Sequence, residues 1–155
     1  MEGFYLTKPG LKKIKDEAER VRKTIENKVK EGFPKIFHSD DLNPEYQSLQ
    51  EDLDWLRAKL ANLKHILANA KLISVPSPDK QNVVRLEARV MVEVDGQTDE
   101  LIIVGSLEAN PSLGKISNES PVGKALLGKK EGEEVTIAAS VPTKYKIKKI
   151  KYPSR

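Results

Sequence analysis

The sequence predicts an α+β protein in two parts: an antiparallel α-helical coiled-coil hairpin over residues 1–75, and a compact, mostly β domain over residues 76–155. Three observations predict this organisation. Apolar residues recur at alternating steps of three and four in the first half, and a segment containing Pro76 and Pro78 ends that pattern. Beyond it, β-branched residues become frequent.

The helical half contains two apolar seams. The first consists of Leu11, Ile14, Ala18, Val21 and Ile25. The second consists of Tyr46, Leu49, Leu53, Leu56, Leu60, Leu63, Leu67 and Ala70. Alternating three-four spacing is typical of a coiled coil, and two seams joined by roughly a dozen residues must pack against each other in antiparallel fashion. We therefore interpret both seams as the core of the hairpin and not as a ligand site.

Helix-end signals frame both seams. Thr7 is a candidate N-cap for the first helix, and Gly32 and Pro34 predict its end. Asn43 and Pro44 predict the start of the second helix, because proline is favoured at the first helical position.

The second part is predicted to contain short strands and one short helix. Strands are predicted over Val83–Val94, Leu101–Val104, Glu134–Ala138 and Tyr145–Ile150. Asp95-Gly96 lies between the first two strands and is typical of a hairpin turn. Pro121–Leu127 is predicted to be a short helix that ends at Gly128.

Composition excludes several kinds of site. The chain has no cysteine, which excludes disulfides, thiolate metal sites and a cysteine nucleophile. Its net charge of +4 is mildly basic and does not by itself indicate nucleic-acid binding. No signal peptide or membrane-length apolar run is present, so we expect a soluble, cytoplasmic protein without a membrane partner. We find no phosphate-binding glycine loop, paired-histidine metal motif or serine elbow.

Carboxylates cluster at the predicted bend of the hairpin. Asp40 and Asp41 lie in the bend, and Glu45 follows in the next helix. The helix dipole favours an acid at the position of Glu45, but it does not explain two adjacent aspartates at an exposed bend. Hard carboxylate oxygens suit Mg²⁺, so Asp40 and Asp41 are candidate metal ligands.

The last predicted strand is rich in lysine. Its cations and those that follow it are Lys144, Lys146, Lys148, Lys149, Lys151 and Arg155. We interpret them as the charged face of an edge strand, where lysine discourages aggregation. A contact with nucleic acid is the alternative.

The sequence resembles the GreA/GreB transcript-cleavage factors of bacterial RNA polymerase. The segment ISNESPVGKALLGKKEG, residues 116–132, resembles the signature of that family's FKBP-like C-terminal domain. The opening LTKPGLKKIKDE and the pairs Asp41-Leu42 and Glu45-Tyr46 resemble the family's N-terminus and hairpin tip.

The resemblance implies a monomeric transcription factor that acts on RNA polymerase and is not itself an enzyme. The C-terminal domain would dock on bacterial RNA polymerase through Ser117, Ser120 and Pro121, and the hairpin would enter the secondary channel. There Asp40, Asp41 and Glu45 would help the polymerase to hold a second Mg²⁺ and to cleave the 3′ end of backtracked RNA. The RNA or the channel wall would face Arg20, Arg22, Lys23 and Lys35. DNA binding is a further implication.

The tip departs from the family pattern Asp-Leu-x-Glu-Asn-Ala-Glu-Tyr. The corresponding segment of this chain is two residues shorter and lacks the first glutamate; it reads Asp41-Leu42-Asn43-Pro44-Glu45-Tyr46. Two outcomes remain open: Asp40 supplies the second carboxylate and the chain stimulates cleavage, or the chain occupies the channel and inhibits. An FKBP-like domain also suggests a prolyl isomerase, but such a pocket needs aromatic walls, and beyond residue 76 the only aromatic residues are Tyr145 and Tyr152.

Overall fold

A computed structural model describes residues 3–32, 44–138 and 140–154. The chain divides into two units: Pro9–Ala70 form one, and the described residues before and after that span form the other. The predicted fold class is confirmed, since two long helices are followed by a unit dominated by strands. Among the described residues, no helix is both long enough and apolar enough to cross a membrane.

The hairpin unit consists of α1 (Lys8–Glu31) and α2 (Pro44–Ala68). Both predicted boundaries hold, because α1 ends immediately before Gly32 and α2 begins at Pro44. At 1.5 Å per residue, the 24 residues of α1 and the 25 residues of α2 make arms of about 36 Å each.

The helices meet along the predicted seams. Val21, Leu56 and Leu63 are buried together, with Ile14, Ala18, Ile25 and Leu60 packed against them. The prediction was wrong in the last turns of α2, where Ile66 is buried and Leu67 is only partly covered. Because successive helical residues differ by about 100°, the buried side of α2 turns away from the Leu67 side there.

Two ion pairs join the helices across the seam. Lys59 Nζ lies 2.8 Å from a Glu17 oxygen, and Lys28 Nζ lies 3.7 Å from Asp52. Moving forward along α1 means moving backward along α2, so the helices are antiparallel as predicted. The hydrogen bond from Lys59 lowers the pKa of Glu17.

The β-rich unit is built on a five-stranded mixed sheet. In chain order its strands are β3 (Arg89–Val94), β4 (Gln97–Val104), β5 (Lys115–Ser117), β6 (Glu134–Ile137) and β7 (Thr143–Lys151). Their order across the sheet is β5-β4-β3-β7-β6, with only the β4–β5 pair parallel. The short helix α3 (Pro121–Leu126) lies between β5 and β6 in the chain, where the sequence predicted it.

The predicted turn at Asp95-Gly96 is confirmed. Val94 pairs with Gln97, and both turn residues have positive φ, 51° and 77°. This geometry matches the twist of the flanking strands and explains the Asp-Gly pair. The first strand is shorter than predicted: only Arg89–Val94 pair as β3, because Glu87 has a φ of 70°, which extended strands do not tolerate.

The core lies on one face of the sheet. Its buried members are Val84, Ala88, Val90, Val92, Leu101, Ile103, Leu126, Val135, Ile147 and Ile150. Leu126 comes from α3, so this helix covers the apolar face of the sheet. A bulge opposite Met91 and Val92 leaves Lys148 without a direct partner. The extra residue shifts the alternation of β7, so that both Ile147 and Ile150 face the core.

The interpretation of β7 as an edge strand was wrong. β7 lies between β3 and β6 and is hydrogen-bonded on both sides, and the edges of the sheet are β5 and β6. The lysines of β7 therefore do not protect an open edge.

The N-terminal segment groups with the β-rich unit. β1 (Phe4–Leu6) pairs with β2 (Ala70–Leu72), and Leu6 is fully buried. Thr7 donates from its backbone N–H and its hydroxyl to the two carboxylate oxygens of Glu108, at 2.8 and 2.6 Å. The sequence-based division assigned residues 1–75 to the hairpin, whereas these contacts place residues 4–7 with the β-rich unit.

Candidate functional site

The predicted tip lies largely outside the described residues. Asp40, Asp41 and Lys35 all fall in that part of the chain, so their assignments as metal ligands, tip carboxylates and RNA-facing cation stay predictions. Glu45 is described: it is exposed and lies in the first turn of α2, directly after Pro44. The positive end of the helix dipole stabilises a carboxylate at this position. Within the described ranges, no three His, Asp or Glu side chains lie close enough together to hold a metal ion.

The predicted basic residues of α1 do not share one face. Arg20 and Lys23 are three residues apart and lie on neighbouring positions of the helix surface, whereas Arg22 lies about 160° from Arg20. The guanidinium of Arg22 also binds its own helix. It donates two hydrogen bonds to Glu19, at 2.6 and 3.0 Å, and one to Glu26 at 3.1 Å.

These contacts separate the basic residues into two groups. The carboxylate of Glu19 raises the pKa of Arg22, and Arg22 in turn lowers the pKa of Glu19. The charge of Arg22 is thus balanced within α1, and Arg20 and Lys23 are the better candidates for contact with an external anion.

The signature segment forms a hydrogen-bonded loop before α3. The hydroxyl of Ser106 donates to a carboxylate oxygen of Glu119 at 2.7 Å and lies 2.9 Å from the hydroxyl of Ser117. Because a carboxylate only accepts, the hydrogen between the two serines must come from Ser117. Ser117 Oγ then accepts from the backbone N–H of Glu119 at 3.1 Å. This network fixes the side chain of Glu119 at an exposed position.

Ser120 is the N-cap of α3. Its hydroxyl accepts from the N–H of Gly123 at 3.1 Å and donates to the carbonyl of Ser117 at 2.6 Å. Pro121 follows at the first helical position and is exposed. The two serine hydroxyls are therefore engaged inside the loop, and Pro121 and Glu119 are the groups that the loop presents outward. Sequence reasoning missed Glu119, although it stands inside the segment that carried the resemblance.

Two clefts of the β-rich unit meet at Asn118. One has a volume of about 580 Å³ and includes Leu72, Arg85 and Leu127 in its lining, and the other has about 290 Å³ and includes Gly105 and Leu107. Asn118 lines both clefts, and among the described residues its buried side-chain oxygen has no hydrogen-bond partner. Its backbone N–H is bound to the carbonyl of Val104 at 2.8 Å. This arrangement can accept a donor group from a partner.

The wall between the clefts is formed by Tyr5, which lines both of them. Gly105 permits its close approach, since a Cβ at that position would lie 2.1 Å from the carbonyl oxygen of Tyr5. Lys71 Nζ lies 5.7 Å from the centre of the Tyr5 ring, within the range of a cation–π contact. The two clefts beside the signature segment thus depend on β1, an element that the sequence did not predict.

Comparisons with known proteins agree on one family. The family described as "Transcription elongation factor, GreA/GreB, C-term" matches residues 79–152. Transcription elongation factor GreA of Clostridium acetobutylicum is 40% identical over 156 residues, covering 96% of each chain. The factor of the same name from Bacillus subtilis is 38% identical over 138 residues, covering 86% of this chain and 87% of its own.

Among solved structures, a similar one is the crystal structure of GreA factor homolog 1 from Thermus thermophilus. It is 24% identical, covers 97% of this chain and 99% of its own, and has a TM-score of 0.42. The identities to the curated relatives, over almost the full length of both chains, carry the assignment. The chain belongs to the GreA/GreB family of transcription elongation factors.

Proposed function

We propose that this protein binds bacterial RNA polymerase, inserts its helical hairpin into the secondary channel and stimulates cleavage of backtracked RNA by the polymerase. One observation carries the proposal. This chain, a member of the GreA/GreB family, has two helical arms of about 36 Å, and the segment that connects them contains Asp40 and Asp41. A remote carboxylate needs a long, stiff carrier to reach a buried reaction centre. The buried seam of Val21, Leu56 and Leu63 supports such stiffness, because it packs the two helices against each other.

In this proposal the chain alone is not an enzyme. Asp40 and Asp41 would hold Mg²⁺ jointly with the polymerase, and their hard oxygen donors fit that ion. When bound, the ion would activate water and stabilise the charge that develops during hydrolysis. Glu45, one turn into α2, would add negative charge near the same end of the hairpin.

The docking contact is assigned to the loop before α3. Pro121 and Glu119 are exposed there, while Ser117 and Ser120 hold the loop in shape through their hydrogen bonds. We therefore assign the direct contact to Pro121, with both serines acting through the loop they order. Pro121→Ala should weaken binding to the polymerase while leaving the fold intact, whereas Ser120→Ala should also destabilise α3 by about 1 kcal/mol through the lost cap.

The test uses a backtracked elongation complex with end-labelled RNA and Mg²⁺. We expect the wild-type chain to speed shortening of the RNA from its 3′ end, and Asp40→Asn or Asp41→Asn to abolish the effect without weakening polymerase binding. Asparagine preserves the side-chain size and removes the charge, so it isolates the role of the carboxylate. Incubation of the chain with the same RNA, without polymerase, is the control and should give no cleavage.

A second function is favoured by the shortened tip, which lacks the family's first glutamate. If the remaining carboxylates are misplaced, the hairpin would fill the channel and slow nucleotide addition, because small displacements of a catalytic group cost large factors in rate. Unchanged cleavage together with slower elongation would replace the first proposal by this one. A chain that neither binds the polymerase nor alters either rate would contradict both.

A further inference from the structure

The sheet face opposite the core is strongly basic. Pairing places on this face Arg89, Met91 and Glu93 of β3, Thr98, Glu100 and Ile102 of β4, Lys115 of β5, Glu134 and Thr136 of β6, and Lys144, Lys146, Lys149 and Lys151 of β7. Lys148, the bulge residue, also reaches this face, because its Nζ lies 2.8 Å from Glu93. We call this set of residues the outer sheet face.

The net charge of the chain is concentrated there. The outer sheet face has seven cations and three acids, a net charge of +4. The whole chain has 27 cations and 23 acids, also a net charge of +4. The remainder of the protein is therefore neutral in sum, and one surface of one unit accounts for its basic character.

Most of these lysines are not neutralised by neighbours. Arg89 pairs with Glu100 at 3.4 Å, and Lys148 pairs with Glu93. Within the part of the chain that the structure describes, no acid lies within 4.0 Å of the ammonium groups of Lys144, Lys146, Lys149 or Lys151. All four side chains are exposed in a row along β7. Lys146 lies opposite Glu93 and Glu134 in the strand pairing, whereas Lys144, Lys149 and Lys151 lie opposite no acid.

Protection of an open edge does not explain this row. β7 has hydrogen-bonded neighbours on both sides, so it presents no unpaired edge to another chain. Nor does the row as a whole stabilise the fold. Only Lys146 lies opposite acids, and the like charges of Lys144, Lys149 and Lys151 repel each other. The lysines thus have a cost in the free protein, and an external polyanion would remove it.

We infer that the outer sheet face binds the phosphate backbone of double-stranded nucleic acid without reading its sequence. Residues two apart in a strand are about 6.7 Å apart, so Lys144 to Lys151 form a track of about 20 Å. A DNA duplex presents about one charge per 1.7 Å of its axis, so several phosphates lie within reach of such a track.

The residue types on the face favour a duplex over a single strand. Single strands are held by bases stacked on aromatic rings, and no aromatic residue occurs among the described residues of the outer sheet face. Tyr145 of β7 points to the opposite face, where it packs against the core. Lysine binds phosphate as a point charge and does not offer the fixed fork by which arginine reads guanine. Binding through the backbone alone is the expected result.

The test measures binding of the full chain to labelled DNA duplexes of about 25 base pairs by fluorescence anisotropy, without polymerase. Four phosphate contacts predict a slope of about −3.6 in log affinity against log salt, which is a roughly 150-fold loss of affinity between about 50 and 200 mM salt. A quadruple variant should weaken binding at least tenfold at about 50 mM salt and reduce the slope by about 3.6. It combines Lys144→Gln, Lys146→Gln, Lys149→Gln and Lys151→Gln.

A matched variant separates this face from overall charge. This control removes the same charge from exposed positions of the hairpin by combining Lys12→Gln, Lys15→Gln, Lys30→Gln and Lys64→Gln. Its affinity for the duplex should stay within about twofold of the wild-type value. Equal losses in both variants would overturn the inference, as would absence of DNA binding by the wild type.

Further measurements define which ligand the outer sheet face binds. Duplexes of different sequence should bind equally, and duplex RNA should compete because it shares the phosphate backbone. A single strand of the same length should compete poorly, and stronger binding to it would refute the duplex assignment. Unchanged DNA affinity in the quadruple β7 variant, with loss of polymerase binding, would show that the face recognises an acidic protein surface instead. Since no polymerase is present in the DNA assay, its outcome is independent of the cleavage proposal.

Discussion

Gly123→Ala should destabilise the β-rich unit, although alanine is the better helix former. Gly123 is buried in α3, and a Cβ at this position would lie 2.0 Å from the carbonyl oxygen of Ser117 and 2.9 Å from its carbonyl carbon. Real Cβ contacts are essentially never shorter than 3.0 Å, so the two backbone segments must separate by about 1 Å. The obstacle is backbone and not the flexible end of a side chain, so it cannot rotate away.

The magnitude follows from two opposing effects. Helix propensity alone favours alanine by about 1 kcal/mol, and overpacking of a tight site costs about 1–3 kcal/mol, occasionally more. The separation also strains the hydrogen bonds by which Ser120 caps the helix. Because the clash at 2.0 Å is with backbone, overpacking costs about 3 kcal/mol here, the upper end of its range. Less the gain in helix propensity, and with the strained cap, we expect a net loss of about 2–3 kcal/mol. Gly128→Ala is the matched control: Gly128 has φ +80° and open space around its Cβ, so only backbone strain of about 1 kcal/mol applies.

Hydrogen exchange is the suitable assay, because the single tryptophan, Trp55, belongs to the hairpin and does not report on the sheet. Amides of β3 and β7 that exchange by global unfolding should lose one and a half to two orders of magnitude in protection in Gly123→Ala, and about fivefold in Gly128→Ala. Protection in α2 should not change. If Gly123→Ala were neutral or stabilising, the close packing of α3 on the signature loop would be refuted.

Three further changes test other contacts. Tyr152→Phe should cost about 1–3 kcal/mol in urea unfolding, because the hydroxyl binds a backbone carbonyl and a backbone N–H that would lose their partner; an unchanged midpoint would contradict this. Burial, and then the charge of Glu108, raises the pKa of Glu87, so stability falls as pH rises through that pKa; Glu87→Gln should raise the Tm near pH 7 and leave it unchanged near pH 3. The Lys59 hydrogen bond lowers the pKa of Glu17, so its stabilisation is lost as pH falls through that lowered pKa. After allowance for solvent screening, Glu17→Gln should cost the hairpin at most about 0.5 kcal/mol near pH 7 and nothing near pH 2.

Local chemistry made the helices and turns predictable. The start of α2 at Pro44, the end of α1 before Gly32 and the Asp95-Gly96 turn all follow from the backbone preferences of those residues. The spacing of apolar residues predicted most of the hairpin seam. In the last turns of α2 that prediction was wrong, because Ile66 is buried there and Leu67 is only partly covered. A residue's burial there depends on what covers the helix, which periodicity alone does not report.

The arrangement of the strands could not be predicted in the same way. A lysine-rich strand suggests an edge, yet β7 is interior because β6 pairs along its other side. β1 was missed because three residues carry too little pattern. Its partners are also distant in sequence, since Tyr5 of β1 lies against Gly105. Pairings across such separations depend on topology, which is a property of the whole chain.

The hydrogen bonds of the candidate docking loop could not be predicted from the sequence. The signature segment marks the loop before α3, but the roles of Ser117 and Ser120 in holding it together emerged only from their hydrogen bonds. Asn118 shows no sequence signal that would distinguish it from any other loop asparagine, and only its unsatisfied side-chain oxygen identifies it. The assignments of Asp40 and Asp41 stay predictions.

The position of β1 means that the hairpin is an insertion within the β-rich unit, with residues 9–70 lying between two segments of that unit. During synthesis β1 is made before both helices, and Gly105, against which it packs, is made only after them. The arms can also change length independently: one added heptad in each helix would extend reach by about 10 Å and preserve the seam, without altering a single contact of β1. A hairpin inserted in this way can change its reach by duplication of whole heptads while the β-rich unit stays the same.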